Sequence, residues 1–375
     1  MIRPKRIVIC GGGAIGAAIA YFLSLRGVQP IVIERHEVAG SASGKSGGFL
    51  ALDWCRGSPL DRLARRSFAL HAELAAGLDN PWGYRRLTTY AGHAAENGSA
   101  RGASSRPWLS AGVTLTDEIG SSRSTALVEP RAFTTGLMRA AEARGAELRH
   151  GAVVDLVRDK NGAASGVTLD SGEIVEGDAV VVAMGPWSVL AARWLPLPAV
   201  YGYKGHSIIF DTGDAIPAEA LFLEYQEASG EVLTPELFAR ADGTTWVCAI
   251  SSTGALPVDP AEVAPDAGAH ARLEAMCRTL SPALTADRIV TRQACFRPVT
   301  EDGLPLLGEV PGVSGAYIAT GHNVWGMLNA PATGEAMAEL ILDSSTQHVD
   351  LSPFTPGRLP TLDPTRLTSR RRTAP

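Results

Sequence analysis

Residues 11–16 read GGGAIG, and Gly11, Gly13 and Gly16 carry the spacing of a turn that cradles a pyrophosphate. Gly11 allows the tight turn, Gly13 the close approach of phosphates, and Gly16 the contact of a helix with a sheet. Ala14 and Ile15 place further N–H groups at the start of that helix, where backbone donors favour an anion. Glu34 follows at about the 20-residue separation from which a carboxylate accepts from a ribose 2′-OH, with Arg35 beside it. The stretch AGSASGKSGG, Ala39 to Gly48, is too rich in small residues to be core. Ser41, Ser43 and Ser46 offer hydroxyls, and Gly47 and Gly48 bare backbone, to a pyrophosphate or a ring. Lys45 is either a cation beside that ligand or a solvated surface lysine.

These residues need elements to hold them. IVIC before the glycines is a short apolar strand, AAIAYFLSLRG after them has helical period, and PIVIERH is a second strand ending at Glu34. Strand, glycine turn, helix, strand and acid make a dinucleotide-binding βαβ unit. Residues 60–79 form a helix stopped by Asn80-Pro81, and Tyr84–Tyr90 a strand. The polar segment 97–107 is expected to be a surface loop. A helix begins near Pro130 and ends near Gly145. Two strands about an Asn161-Gly162 turn follow, then the buried strand Ala179–Ala183, broken at Met184-Gly185-Pro186. Strand ends in such sheets meet the ligand, which puts Ala183 and Gly185 near it; Trp187 is either a packing residue or part of that wall.

From about 197 to 294 the pattern changes to strands joined by turns, including HSIIF and TTWVCAI, with one helix in PDAGAHARLEAMCRTLSPAL. It predicts a second, largely antiparallel α+β domain roofing the cofactor, with Tyr201, Tyr203, Lys204, His206, Tyr225 and Trp246 as possible lining residues. The chain then returns to a Gly-rich pattern, with strand Ala316–Ala319, loop Gly321–Gly326, and helix Ala330–Leu342 carrying Pro331 in its first turn. The N–H groups of Gly326, Met327 and Leu328 could face an electron-rich atom. The expected division is 1–80, 130–198 and 299–345 for the nucleotide domain and 81–129 with 199–298 for the substrate domain. Residues 352–375, ending SRRRTAP, are expected to be a disordered tail.

Composition narrows the function. The 375 residues suffice for two domains, and a net charge of −5 gives nucleic acid no attraction. No apolar run reaches membrane-spanning length, and the first strand leaves no room for a signal peptide, so a cytoplasmic location is expected. The 5 cysteines form no C-x-x-C and no metal-ligand spacing, and no nucleophile elbow is present.

The chain resembles the FAD-dependent amino-acid oxidases and dehydrogenases, the superfamily of D-amino-acid oxidase, glycine oxidase and sarcosine oxidase. The resemblance rests on IVICGGGAIGAAIAYFLSLRG with VIER, AGSASGKSGG, VEPRAFTTGLMRAAEARGAELR through DAVVVAMGPWS, and FRPVTEDGLPLLGEVPGVSGAYIATGHNVWGMLNAPATGEAMAELIL. It spans nearly all of 1–359, with DLSPFTPGRL as a closing phrase. A smaller group of members named only as oxidoreductases is closer still, through SGKSGGFLALDW and YGYKGHS.

The resemblance implies an α/β Rossmann-type FAD-binding domain beside the substrate domain. It assigns Gly11, Gly13 and Gly16 to the pyrophosphate, Glu34 to the ribose, Ser41, Ser43, Gly47 and Gly48 to pyrophosphate or flavin, and Val153 or Val154 to adenine. Gly185 would line the cofactor channel. Gly321, His322, Asn323, Trp325, Gly326, Met327 and Leu328 would reach the isoalloxazine. Arg297 falls where the substrate carboxylate is clamped, a task suited to a bidentate guanidinium. Cys295 falls where the sarcosine oxidase branch links its flavin covalently, whereas the wording around it favours non-covalent FAD. The implied reaction oxidises the C–N bond of a small amino acid or secondary amine by hydride transfer to flavin N5, giving an imine that hydrolyses. Electrons then pass to O2 or another acceptor. Lys45, Lys204 and His322 are candidates for tuning oxygen reactivity or substrate charge. The alternatives are a 2-hydroxy-acid dehydrogenase and a non-catalytic flavin-binding regulator.

Overall fold

The computed structural model describes residues 6–97 and 106–367. Most of the polar segment 97–107 and the terminal SRRRTAP lie outside the described residues.

Ile7–Cys10 is a strand buried along its whole length. It runs parallel to Ile31–Glu34 on one side and to Ala179–Val182 on the other. Glu147–His150 and Ala316–Thr320 extend the sheet in parallel, and Leu306–Glu309 closes one edge antiparallel. Strands covered on both faces read as unbroken apolar runs, as IVIC, IVIE and AVVV do. Ile7, Ile9 and Val181 point to one core, and Val8, Cys10, Val180 and Val182 to the other.

Helices Ala14–Leu25, Asp61–Gly77, Pro130–Glu142 and Gly326–Asp343 build the first core. The first and last of these approach closely, because a Cβ on Gly334 would stand 2.6 Å from the Ala18 backbone. The second core is covered by the antiparallel strands Val153–Arg158, Ala164–Leu169 and Ile174–Glu176 and by the turn of helix Gly185–Arg193.

The closing helix departs from expectation. It begins at Gly326, a turn earlier than the sequence suggested, so Pro331 lies inside it. Proline there removes the N–H that the Met327 carbonyl needs. His71 Nε2 takes over, donating to Met327 O at 3.0 Å and Leu328 O at 3.1 Å. Ser67 Oγ accepts from the Ala332 N–H at 3.0 Å. Helix Asp61–Gly77 thus repairs the helix that proline would break.

The second domain is an eight-stranded sheet whose main path runs Ile289–Val299, Tyr201–Asp211, Thr244–Thr253, Glu236–Ala239, Glu219–Gln226, Thr88–Ala95, Thr114–Gly120. It is antiparallel except where Glu219–Gln226 meets Thr88–Ala95. Helix Ala269–Leu280 covers one face, packing Leu273, Met276 and Leu280 on Ile208, Phe210 and Val247. The opposite face carries Phe238, Trp246 and Cys248.

The tail expectation is corrected for 352–367. Phe354 is fully buried, Thr361 bridges Pro198, and Arg358 Nε donates to Asp302 Oδ2 at 2.7 Å. Prolines here preset tight turns, and Phe354 supplies the apolar anchor that a disordered tail lacks.

Candidate active site

One cavity of about 440 Å³ runs from the glycine turn to the second domain's sheet. At its first end Gly11 has φ +114°, and a Cβ there would lie 2.5 Å from Ala183 O. A Cβ on Gly16 would lie 2.0 Å from Gly11 O, so Gly16 shapes the turn from below and does not face the cavity. Ser43 Oγ accepts from the Ala14 N–H at 2.8 Å, capping the helix and leaving its own proton to point elsewhere. Glu34 accepts from Gly12 N–H at 2.7 Å and His36 N–H at 3.1 Å. Arg35 donates to Val258 O, and His36 pairs with Asp259, so a loop of the second domain is tied across this end.

The 41–48 loop lies along the cavity floor, held from the second domain. Trp246 Nε1 donates to Lys45 O at 3.0 Å, and buried Arg240 donates to Ser46 O at 2.8 Å. A Cβ on Gly47 would lie 2.5 Å from the Phe238 ring. Lys45 lines the cavity and donates to Ala294 O at 3.2 Å.

At the far end Thr320, His322, Asn323, Trp325, Gly326 and Met327 form the wall. Asn323 sits in the left-handed region at φ +52°, a strain that clusters at ligand sites. The helix that starts at Gly326 follows directly on the 3-10 turn Asn323–Trp325 and has no side-chain cap, so no side chain competes with a ligand for its first N–H groups. Among the described residues, Ser46 Oγ and His322 Nδ1 have no hydrogen-bond partner and are buried beside the cavity. A glycine-bordered, largely apolar channel that carries these two buried, unpaired polar atoms on its wall fits a dinucleotide such as FAD.

The second domain contributes the other wall. Cys295 and Arg297 alternate with Phe296 along one strand, so both face the cavity while Phe296 packs away from it. Arg297 Nη2 donates to Ser251 Oγ at 3.2 Å, and the guanidinium lies 5.5 Å from the Tyr203 ring centroid. Arg297 also borders a second, open cavity lined by Tyr201, Tyr203, Val258 and Val324. It therefore stands at the mouth. Glu236, Phe222, Phe238, Trp246 and Cys248 complete this wall.

Several expected residues lie elsewhere. Lys204 points to the opposite face from Gly205 and pairs with Asp266 at 2.6 Å, which removes it from the chemistry. His206 is buried on the same side, accepting from Asp266 N–H. Tyr225 packs under the helix, its hydroxyl on Thr279. Val153 faces the cavity, but strand alternation turns Val154 outward, 47% exposed. Gly321 and Leu328 sit behind the wall. His322 keeps its place but loses a charged role, since burial pushes its pKa down to about 3. Trp187 is both packed and cavity-lining, its Nε1 donating to Pro257 O at 2.8 Å.

Glu236 is the residue that motif reasoning missed. In the short strand of PELFAR, Glu236 and Phe238 face the cavity, whereas Leu237 and Ala239 face the helix-side core. Two charged residues bracketing a phenylalanine on one strand face was the available signal.

A model of the FAD dependent oxidoreductases matches residues 6–340. The chain belongs to the FAD dependent oxidoreductase (DAO) family. It is thus an FAD-binding enzyme of the oxidase/dehydrogenase class, with a Rossmann-like region and a separate substrate domain. Over 386 residues it is 28% identical to a Schizosaccharomyces pombe protein named only as an oxidoreductase, covering 95% of this chain and 99% of that one. It is likewise 28% identical to glycine oxidase of Geobacillus kaustophilus, over 94% and 97% of the two chains. The crystal structure of a glycine oxidase from that organism superposes with a TM-score of 0.72 at 26% identity, over 95% of this chain and 99% of that one. Among the described residues no helix is long and apolar enough to cross a membrane.

Proposed function

We propose that this enzyme oxidises the C–N bond of a small amino acid or secondary amine bearing a carboxylate. The observation that carries this reading is Arg297: a guanidinium on the cavity wall, with Ser251 as its hydrogen-bond partner and no carboxylate paired to it among the described residues. A fork of N–H donors at a cavity mouth with no carboxylate of the described residues on it is suited to a substrate carboxylate. The glycine oxidase of Geobacillus kaustophilus, similar along nearly the whole chain, adds an amine as the group to be oxidised.

FAD supplies the two-electron acceptor for this chemistry. Gly11, Gly13, Ser43 and the N-terminus of helix Ala14–Leu25 hold its pyrophosphate, Glu34 its ribose, and Val153 its adenine. The 41–48 loop and the N–H groups of Gly326 and Met327 hold the ring end. Arg297 fixes the substrate carboxylate, and the aromatic wall of Phe49, Phe222, Phe238 and Trp246 excludes water. Lys45 is a second cavity cation, placed to stand beside the electron acceptor, O2 or another.

FAD is bound non-covalently. Burial raises the Cys295 thiol despite the opposing pull of Lys45 and Arg297, and a thiol that stays protonated is a poor nucleophile. Acid precipitation should leave the yellow colour in the supernatant; a yellow pellet overturns this point.

The substrate class is tested by anaerobic addition of glycine, D-amino acids, N-methyl amines and 2-hydroxy acids to the holoenzyme. Bleaching of the flavin by an amine is the expected result. The 2-hydroxy acids belong in the panel because Glu236 offers the base that their oxidation needs. Bleaching by those alone overturns the amine reading.

A further inference from the structure

Among the described residues, Glu236 is an enclosed carboxylate without a partner. It lies on the strand Glu236–Ala239, opposite Phe222 on one neighbour and Cys248 on the other. Its side chain faces the cavity among rings: Phe222 and Phe238 have centroids 5.4 Å apart, and Phe238 stacks on Trp246 at 5.3 Å. It makes no side-chain hydrogen bond and no ion pair among the described residues. The nearby cation is Arg297, on the same cavity and too far away to pair. Enclosing a lone carboxylate against aromatic rings is costly, and folding gains nothing from it. A group held at such cost inside a substrate cavity is retained for what enters the cavity.

We propose that Glu236 receives the substrate's amine: Arg297 takes the carboxylate of an α-amino acid, and the Glu236 carboxylate accepts its N–H and then its proton. This rests on the amine reading above and adds the group that activates the amine. The ammonium N–H bond breaks and a Glu236 Oε–H bond forms, turning the ammonium and carboxylate into a neutral amine and a carboxylic acid. No electron moves in that step, and the proton passes to solvent as product leaves. The neutral amine is the form whose nitrogen lone pair assists oxidation at the adjacent carbon.

The surroundings suit the task. Burial pushes Glu236 up to about 7 against the pull of Arg297, which brings it nearer the range of an ammonium than an ordinary carboxylate. The other ionisable groups on this wall are Cys248, Cys295, Lys45 and Arg297. Burial raises both thiols, so neither competes for the proton near neutrality.

The test uses holoenzyme and two probes that cannot be oxidised at Cα: 2-aminoisobutyrate, which has no α-hydrogen, and isobutyrate, which lacks the amine. Binding is followed by perturbation of the flavin spectrum across neutral pH. The wild type should prefer 2-aminoisobutyrate by roughly tenfold to a hundredfold, the worth of a charged hydrogen bond. Glu236→Gln should abolish that preference, leave isobutyrate binding within about threefold, and remove the acid limb from the kcat/KM profile. Glu236→Leu should raise the melting temperature, because an uncompensated enclosed charge is gone. A Gln variant that keeps the preference and the acid limb overturns the proposal and leaves the amine reading intact. Flavin bleached only by 2-hydroxy acids overturns both.

Discussion

His71 supplies to the closing helix the hydrogen bond that Pro331 withholds. The two residues lie on different helices, yet the Nε2 of one sits 3.0 Å from the carbonyl that the other leaves without a helical donor. The freed carbonyls, Met327 and Leu328, belong to the first turn of the helix whose start, at Gly326 and Met327, lines the cavity. A helix–helix contact therefore fixes the geometry of this part of the cavity wall.

His71→Ala leaves those two carbonyls buried and unpaired. The expected loss is at least about 2–6 kcal/mol of stability, since each of the two orphaned acceptors costs about 1–3 kcal/mol before the ring-sized void is counted. His71→Gln retains an N–H and should recover part of the loss. Thermal or urea unfolding of the variants reads this directly; an Ala variant as stable as the wild type would sink the account.

The two buried histidines should cost stability as the pH drops from neutrality, against the smaller, opposite contribution of Glu236. Burial lowers His71 to about 4 and His322 to about 3. The unfolded chain takes up protons near the ordinary histidine value of about 6.5, while the folded protein stays neutral. Stability is complete above that value and is lost as pH falls toward the folded values, by up to about 1.4 kcal/mol per pH unit and group. Melting temperatures at about pH 7 and about pH 5 should diverge less in His71→Gln than in the wild type. Equal slopes would show that His71 titrates normally.

Arg297→Lys keeps the charge but loses the planar fork. If Arg297 clamps a carboxylate, kcat/KM should fall about tenfold to a hundredfold, mostly through KM. Steady-state rates with whichever substrate bleaches the flavin decide it. An unchanged KM would move the carboxylate site elsewhere.

Gly11→Ala should yield protein short of flavin. Its φ of +114° is poor for an L side chain, and the Cβ would stand 2.5 Å from Ala183 O. The turn must shift, at a cost of about 1–3 kcal/mol or more. The ratio of flavin to protein absorbance in the purified variant is the readout, and a normal ratio would contradict a close-fitted turn.

The sequence by itself determined the βαβ unit, the cofactor class and the return of the chain to it, because these depend on local spacing. Gly11, Gly13, Gly16 and Glu34 act within one short segment, and strand and helix periods are legible over a few residues. Even Arg297 was visible, through the FRP and TEDG wording around it. Tertiary structure decided what depends on which way a strand faces and on what lies across the cavity. A one-residue step turned Lys204 toward Asp266 and Val154 toward solvent while Gly205 and Val153 kept the site. Burial, which no local pattern fixes, made His322 a neutral ring and left Glu236 alone among aromatics. Pro331, whose place in the sequence predicts a helix start, is an interior residue because a histidine far away in sequence satisfies the carbonyls it leaves without a helical donor. Burial and hydrogen-bond completion are properties of the packed chain, and they govern the charge that each active-site residue carries.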